Sequence, residues 1–251
     1  MVFDNYAKYY NLLYKDKDYN SETDYVQSLI KQYAPTQAKT LLDIGCGTGL
    51  HAYYMAQLGY QVTGIDSAQE MVNQALEKKI PNADFHVENA TSFSLDKKFE
   101  IITSLFHVLS YQTLTQDALD MIQNASAHLN EEGIFIFDFW YGPAVLTEKP
   151  SVKVKRLEDD EIKVTRIAEP VLKINENIVD VNFELVIQDK PNNQFSVVKE
   201  THPMRYFFKP EIELLLDRAG MYPVYFNEWM SGNTPSASTW GVCCVATKKR
   251  N

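Results

Sequence analysis

A nine-residue segment, LLDIGCGTG at positions 41–49, constrains the fold more than any other part of this chain. Its first residues fit a short buried strand, glycines follow at alternate positions, and residues 49–58 then have a helical pattern. Glycine lets a ligand approach the backbone closely and tolerates a positive φ. The N-terminus of the following helix offers free N–H groups and a positive dipole end. The segment favours a ligand-binding turn, although a tight turn without a ligand is the alternative for such a string in isolation.

Strand and helix patterns alternate along the first 140 residues. Apolar runs predict strands at 40–44, 61–65, 83–87, 99–104 and 134–139. Helical periodicity predicts helices at 21–33, at 49–58, from residue 67 onward and at 115–129, with Ser21 and Ser67 as capping residues. This alternation, with two strands apolar on both faces, is typical of βαβ units around a parallel sheet.

The periodicity changes after Pro143. From about residue 151 to residue 208, apolar and polar residues alternate in four runs that turn residues separate. A helix between Pro210 and Gly220, followed by two strands, returns to the earlier pattern. We expect a core formed by residues 1–143 and 209–251 with an N-terminal helical cap. Residues 144–208 then form an antiparallel insert that covers the acceptor as a lid.

Charge and cysteine content exclude several classes of protein. The net charge of −9 argues against a general affinity for nucleic acid or anionic membranes. Three cysteines, two of them adjacent and none in a CxxC pair, argue against a disulfide framework and a zinc site. Neither a signal peptide nor a stretch of ~18 apolar residues is present. We expect a cytoplasmic protein without a metal, whose partner is a small molecule; the oligomeric state stays open, a homodimer included.

Asp66 ends the second predicted strand. In nucleotide-binding α/β folds a carboxylate at this place accepts hydrogen bonds from the ribose hydroxyls. The alternative role is to cap the next helix, but Ser67 can do this and leave Asp66 available. The dinucleotide pattern GxGxxG would need a glycine at position 50, where the chain has Leu50. The pattern favours a ligand with ribose and no diphosphate, and a nicotinamide oxidoreductase stays open as an alternative.

These segments resemble the motifs of class I S-adenosylmethionine-dependent methyltransferases. LLDIGCGTG is similar to the first motif of that family, VTGID to the second, ENATSF to the third, FEIITSLFHVLSY to the fourth and LNEEGIFIFDFW to the fifth. The resemblance implies S-adenosylmethionine as the cofactor and an α/β, Rossmann-like fold. The implied sheet has seven mostly parallel strands in the order 3-2-1-4-5-7-6, with the last strand antiparallel and an antiparallel β subdomain inserted.

The same resemblance implies which residues contact which part of the cofactor. The glycine turn is expected against the methionine part, Asp66 at the ribose, and Asn89 with Ala90 beside the adenine. Asn89 stands where relatives often carry Asp, and its amide oxygen can still accept a hydrogen bond from the adenine amino group. The full set of expected cofactor-binding residues is Asp43, Gly45, Cys46, Gly47, Asp66, Ser67, Asn89, Ala90 and Leu105.

The N-terminal stretch YAKYYNLLYKDKDY is similar to the bacterial small-molecule branch that includes nucleotide-sugar N-methyltransferases. In that branch a tyrosine matching Tyr14 faces the cofactor or the acceptor. His107 lies just past the fourth predicted strand, on the carboxyl edge where ligands bind in open α/β sheets. We therefore expect Tyr14 and His107 to be the catalytic residues and to converge on the transferred methyl group. The other histidines are expected to be structural or exposed: His51, His86, His128 and His202.

The expected reaction is the in-line transfer of a methyl group to a small-molecule acceptor, in the first place an amine such as an amino sugar. Alignment of the nucleophile and exclusion of water dominate such a displacement. An amine needs only to lose its proton, whereas a hydroxyl needs active deprotonation. Two alternatives stay open: an O-methyltransferase, and a cofactor-binding regulatory protein without catalysis.

Overall fold

The computed structural model describes residues 7–249, with side chains from Tyr9 onward, so the first six residues of the predicted cap lie outside it. The helices are α1 (Ala7–Leu13), α2 (Tyr19–Tyr33), α3 (Leu50–Gln57), α4 (Gln69–Glu77), α5 (Thr115–His128), α6 (Gly142–Glu148) and α7 (Lys209–Arg218). The strands are β1 (Thr40–Ile44), β2 (Gln61–Asp66), β3 (Ala83–Val87), β4 (Phe99–Ser104), β5 (Leu129–Tyr141), β6 (Lys153–Glu158), β7 (Ile162–Lys173), β8 (Ile178–Asp189), β9 (Gln194–Phe207), β10 (Met221–Glu228) and β11 (Gly241–Lys248).

The core sheet has the strand order β3-β2-β1-β4-β5-β11-β10. Strands β1 to β5 are parallel to one another, and β11 runs antiparallel to both β5 and β10. With β10 as the sixth and β11 as the seventh core strand, this is the expected order 3-2-1-4-5-7-6. The predicted Rossmann-like fold is confirmed.

Helices cover both faces of this sheet, which explains why its central strands are apolar throughout. In β1, Leu42 packs on the side of α5 with Met121, whereas the adjacent Leu41 packs on the side of α2 and α3 with Val26 and Met55. Successive side chains of a strand point to opposite faces, so each residue of β1 meets its own apolar layer. A continuous apolar run is therefore the expected pattern for a strand covered on both sides.

The insert is antiparallel as expected, in the order β6-β7-β8-β9. Its last strand joins the core: β9 pairs in parallel with the end of β5 through Trp140–Tyr206 and Tyr141–Phe207. The two parts therefore form one eleven-stranded sheet.

Helix α1 packs between the insert and the core. Its buried residues Tyr10 and Leu13 share a cluster with Leu185 of the insert and with Met71 of α4. This packing places α1 above the carboxyl edge of the parallel strands. No helix within residues 7–249 is long and apolar enough to cross a membrane.

Three local predictions are corrected by the structure. Helix α2 is capped by Asp18, whose carboxylate accepts from the backbone N–H of Ser21, and not by Ser21 itself. Strand β5 begins at Leu129, which pairs with Phe99 of β4 before a register shift, whereas the prediction ended a helix at residue 129 and began the strand at residue 134. Helix α6 was missed, although Pro143 near its N-terminus is typical of a helix start.

Candidate ligand site at the carboxyl edge of the sheet

A cavity of about 320 Å³ lies where β1, β2, β3 and β4 end, beneath α1. Open α/β sheets bind ligands at this edge. Every predicted cofactor-binding residue except Asp43 lines the cavity, and so does Tyr14. The lining also includes residues that the sequence did not single out: Tyr19, Thr48, His51, Met71, Glu88, Phe106, Tyr111, Gln112 and Pro203.

The glycine turn forms one wall of the cavity. The backbone N–H groups of Gly45 and Cys46 donate to the carbonyl of Ile65 at 2.8 and 3.0 Å, which holds the turn against β2. Gly45 and Gly47 have φ values of +74° and +54°. A Cβ atom at Gly45 would lie 2.4 Å from Val108 Cγ2, whereas one at Gly47 would meet no atom within 4 Å. Gly45 is therefore required by packing, and Gly47 leaves open space for a ligand.

Asp66 stands at the end of β2 beside this turn. Its Oδ2 accepts from the backbone N–H of Gly47 and its Oδ1 from that of Ala68, both at 2.9 Å. The prediction that Ser67 caps α4 is wrong, because the helix has no side-chain cap and Asp66 itself binds the backbone before it. Burial raises the pKa of this carboxyl, and the backbone donors oppose the rise. Each carboxylate oxygen keeps a further lone pair, so Asp66 can still accept from two hydroxyls.

Asn89 and Glu88 follow β3 at the next position along the edge. The Asn89 Oδ1 accepts from both the backbone N–H and the hydroxyl of Thr91, each at 2.9 Å. This corrects the expectation that the oxygen faces an adenine amino group, and it leaves the Nδ2 group as the donor that Asn89 can offer. Glu88 lines the cavity with an acidic side chain. The sequence showed it directly before Asn89, inside the same motif.

Asp43 does not line the cavity and is almost fully buried in β1. Its Oδ1 accepts from the hydroxyl of Thr103 at 2.8 Å, while its Oδ2 has no partner among residues 7–249. Burial raises the pKa of Asp43 to about 6. The structure thus gives Asp43 a place beside the turn and no direct contact with the cavity.

Asp43→Asn should change how the stability of the protein depends on pH. The pKa of about 6 in the folded state exceeds the unfolded value of about 3.9, so the folded protein binds this proton more tightly. The contribution of Asp43 to stability is present below about pH 4 and is lost as the pH rises through 6. In urea unfolding, the free energy of unfolding of the variant should rise by roughly 2–3 kcal/mol relative to that of the wild type between pH 4 and pH 7.

The half-exposed Asp84 of β3 supplies the control for this experiment, since Asp84→Asn removes a carboxylate from the same sheet at an accessible site. A wild-type and an Asp43→Asn curve that stay parallel across this pH range would contradict the argument.

Aromatic side chains also line the cavity, and one lining residue, His51, belongs to a buried ion cluster. Tyr14 meets the ring of Phe106 edge-on, with centroids 5.1 Å apart. His51, in the first turn of α3, places its Nε2 2.8 Å from Glu22 Oε2, and Lys17 pairs with the same carboxylate. His51 was expected away from the site, but it lines the cavity. Its partner Glu22 is 29 positions away in the chain, so local periodicity carries no signal of the pair.

His107 follows β4 in a left-handed conformation, with φ +64°. Its backbone N–H donates to Asp138 Oδ1 at 3.1 Å, and its Nδ1 lies 2.7 Å from Oδ2, an ion-pair contact without hydrogen-bond alignment. Burial opposes ionisation of Asp138, but His107 outweighs it and the pKa of the carboxyl is lowered. Because its ring is held at Asp138, His107 does not line the cavity that Tyr14 lines, although its neighbours Phe106 and Val108 do.

The sequence of this chain is similar to those of known methyltransferases. Residues 41–133 match a methyltransferase domain. The chain is 26% identical over 230 residues to the dTDP-3-amino-3,4,6-trideoxy-alpha-D-glucopyranose N,N-dimethyltransferase of Streptomyces venezuelae, covering 91% of this chain and 94% of that one. It is 24% identical over 217 residues to the dTDP-3-amino-3,6-dideoxy-alpha-D-glucopyranose N,N-dimethyltransferase of Streptomyces fradiae, covering 86% and 83%.

Solved structures agree on the fold. An S-adenosylmethionine-dependent methyltransferase from Clostridium acetobutylicum ATCC 824 superposes with a TM-score of 0.82 at 20% identity, over 96% of each chain. The similarity extends beyond the matched domain, so it includes the insert as well as the core.

Proposed function

Since this chain is a class I S-adenosylmethionine-dependent methyltransferase, we propose that it methylates the nitrogen of a small amine, and that this amine belongs to an amino sugar. The observation that carries the proposal is the group of four phenol side chains in the lining of the cavity. Tyr10, Tyr14, Tyr19 and Tyr111 all line the cavity. Phenol oxygens can accept hydrogen bonds from the N–H groups of an amine and so orient its lone pair. Similarity to two amino-sugar N,N-dimethyltransferases supports the same acceptor class.

The residues of the cavity fit the cofactor. Asp66 can bind the two ribose hydroxyls while it holds the turn, and Gly47 opens onto free space. Glu88 can accept from the adenine amino group, and the Nδ2 group of Asn89 can donate to a ring nitrogen. When bound, S-adenosylmethionine supplies a methyl group on a positively charged sulfur. The acidic side chains and aromatic rings of the lining suit such a cation.

The protein has mainly to align the amine with the methyl group and to exclude water. Helix α1 supplies this cover, because its buried face packs on both the insert and α4 above the cavity. Cys46 takes no part as a nucleophile, since burial raises the pKa of its thiol well above the usual range. The amine nitrogen is therefore the attacking atom, and no covalent link to the protein is needed.

Turnover on a panel of acceptors tests the proposed function. The panel contains free and nucleotide-linked amino sugars, simple aliphatic amines, and the same sugars with a hydroxyl in place of the amine; S-adenosylhomocysteine formation is measured. We expect turnover on amines only. Equal or greater turnover on the hydroxyl analogues would identify an O-methyltransferase. Tight binding of S-adenosylhomocysteine with no turnover would identify a regulatory protein, and binding of NADH instead would identify an oxidoreductase.

Tyr14→Phe should lower kcat about 10-fold on an amine acceptor, because the variant keeps the ring against Phe106 and removes only the hydroxyl that orients the nitrogen. His107→Ala should have an effect of similar size, because His107 fixes the segment that carries Phe106 and Val108. Cofactor affinity, measured by calorimetry, should stay close to that of the wild type for Tyr14→Phe. Full kcat in Tyr14→Phe would show that only the ring of this residue matters, as a cover of the cavity. Full kcat in His107→Ala would show that the segment with Phe106 and Val108 does not need His107 to hold it.

A further inference from the structure

A chain of three polar side chains leads from the cavity into the insert. Tyr111, in the 3-10 turn Val108–Tyr111, lines the cavity and places its hydroxyl 3.0 Å from His202 Nδ1. The other ring nitrogen, Nε2, lies 3.2 Å from Glu200 Oε2. His202 and Glu200 belong to β9, and their side chains are 2% and 10% exposed. None of the three residues was predicted to lie in the site.

The chemistry of the three groups fixes the direction of their hydrogen bonds. A carboxylate can only accept, so Nε2 of His202 carries the proton that faces Glu200. In the neutral imidazole, Nδ1 is then an acceptor, and the hydroxyl of Tyr111 donates to it. The phenol oxygen of Tyr111 can in turn accept a hydrogen bond from a group in the cavity. In both of these hydrogen bonds the donor lies on the side of the cavity and the acceptor on the side of Glu200.

The surroundings of His202 disfavour its protonated form, apart from one carboxylate beside it. Burial lowers the pKa of His202, Glu200 opposes this effect, and Arg166 of β7 adds to it. The ring of Phe183 packs edge-on against His202 with centroids 4.8 Å apart. Burial raises the pKa of Tyr10 of α1, and the Tyr111 phenol adds to this rise. His202 is therefore neutral near pH 7. The proton it could accept is stabilised by the Glu200 carboxylate beside it.

Burying such a polar cluster costs free energy, and the insert does not need it for packing. Leu185 and Val164 of the same subdomain already pack against α1, and buried ionisable groups give little net stability. Their retention beside a ligand cavity points to function.

We propose that Tyr111, His202 and Glu200 form a relay that removes the proton from the acceptor ammonium, an inference that rests on the proposed N-methylation. Tyr111 touches the acceptor, and His202 and Glu200 are positioning residues that act through it. The ammonium N–H proton passes to the Tyr111 oxygen as the Tyr111 hydroxyl proton passes to His202 Nδ1. The freed nitrogen lone pair forms the C–N bond, and the C–S bond electrons go to sulfur. One proton is held by the His202–Glu200 pair until product leaves, when it passes to water.

The relay is tested by the pH dependence of amine methylation in Tyr111→Phe and Glu200→Gln. Each variant should lower kcat at pH 7 by roughly 10- to 100-fold, within the usual range for proton transfer. The loss should shrink towards wild-type rates above the pKa of the acceptor amine, because the free amine then needs no base. The double variant should lose no more than the worse single variant, since the groups act as a unit. Cofactor affinity should be unchanged in all three.

His86→Asn is the matched control, because His86 also pairs with a carboxylate, Asp84 at 2.8 Å, but at a half-exposed site on β3. It should leave both the rate and the pH profile unchanged. A loss of kcat by the same factor at every pH, or no loss in Tyr111→Phe, would overturn the relay. Wild-type protein without amine turnover would overturn the proposed function and the relay together, whereas wild-type turnover with pH-independent losses overturns the relay alone.

Discussion

Asp66→Ala is expected to weaken S-adenosylmethionine binding by about 2–3 kcal/mol, or roughly 30- to 150-fold in Kd, because hydrogen bonds to a charged group are worth this much. The carboxylate is held by the N–H groups of Gly47 and Ala68, so it faces the cavity in one orientation. Calorimetry with S-adenosylhomocysteine gives the Kd of both proteins. Unchanged affinity would remove Asp66 from the ribose site.

A cofactor analogue separates the ribose contact from the support that Asp66 gives to the turn. Wild-type protein should bind 2′-deoxy-S-adenosylhomocysteine more weakly than the complete compound. Asp66→Ala should bind the two compounds almost equally, because the partner of the missing hydroxyl has been removed. If the variant still distinguishes them as strongly as the wild type, its loss of affinity comes from disorder of the glycine turn.

Gly45→Ala is expected to destabilise the protein by about 2–5 kcal/mol. A left-handed conformation costs a residue with a Cβ about 1–2 kcal/mol, and crowding in a packed region adds about 1–3 kcal/mol. The crowding arises because the new Cβ would lie 2.4 Å from Val108 Cγ2. Val108 is stiff at χ1 and belongs to the turn that carries Tyr111. Urea unfolding measures the loss, and calorimetry should show weaker cofactor binding in the same variant.

Gly220→Ala is the matched control, since Gly220 has φ +71° and a Cβ there would meet no atom within 4 Å. It should cost about 1–2 kcal/mol, the conformational part alone. Adding Val108→Ala to Gly45→Ala should recover the crowding part, so the two substitutions should be less costly together than their sum. Strictly additive losses would show that Val108 is not the obstacle.

The positions of the core strands could be predicted because their cause is local. Residues such as Leu41 and Leu42 are apolar in succession since each meets a different layer of helices, and that requirement is visible in the sequence. The glycine turn and Asp66 were found for the same reason, as they lie at the ends of two such strands.

Side-chain partners across the chain could not be predicted in this way. Tyr111 and His202 are 91 positions apart and meet only because β9 returns to the end of β5. The prediction for the Asn89 oxygen was wrong for a more local reason. Thr91, two residues later, donates two hydrogen bonds to this amide oxygen. His107 was placed correctly past β4, but its ring direction depends on Asp138 of a different strand. Hydrophobic periodicity indicates which face of a helix or strand is buried, and it carries no information about such side-chain pairs.

The short pairing between β9 and β5 allows part of the insert to be exchanged without rebuilding the core sheet. Among residues 7–249, the insert strands pair with the core sheet only through Trp140–Tyr206 and Tyr141–Phe207. The glycine turn and Asp66 lie on strands on the far side of β4. Both chain connections of the insert leave and return at this one corner. Exchange of β6, β7 and β8, with β9 kept because it carries His202 and Glu200, is therefore expected to alter the packing of α1 and the choice of acceptor while the strands that bear the glycine turn and Asp66 stay in place.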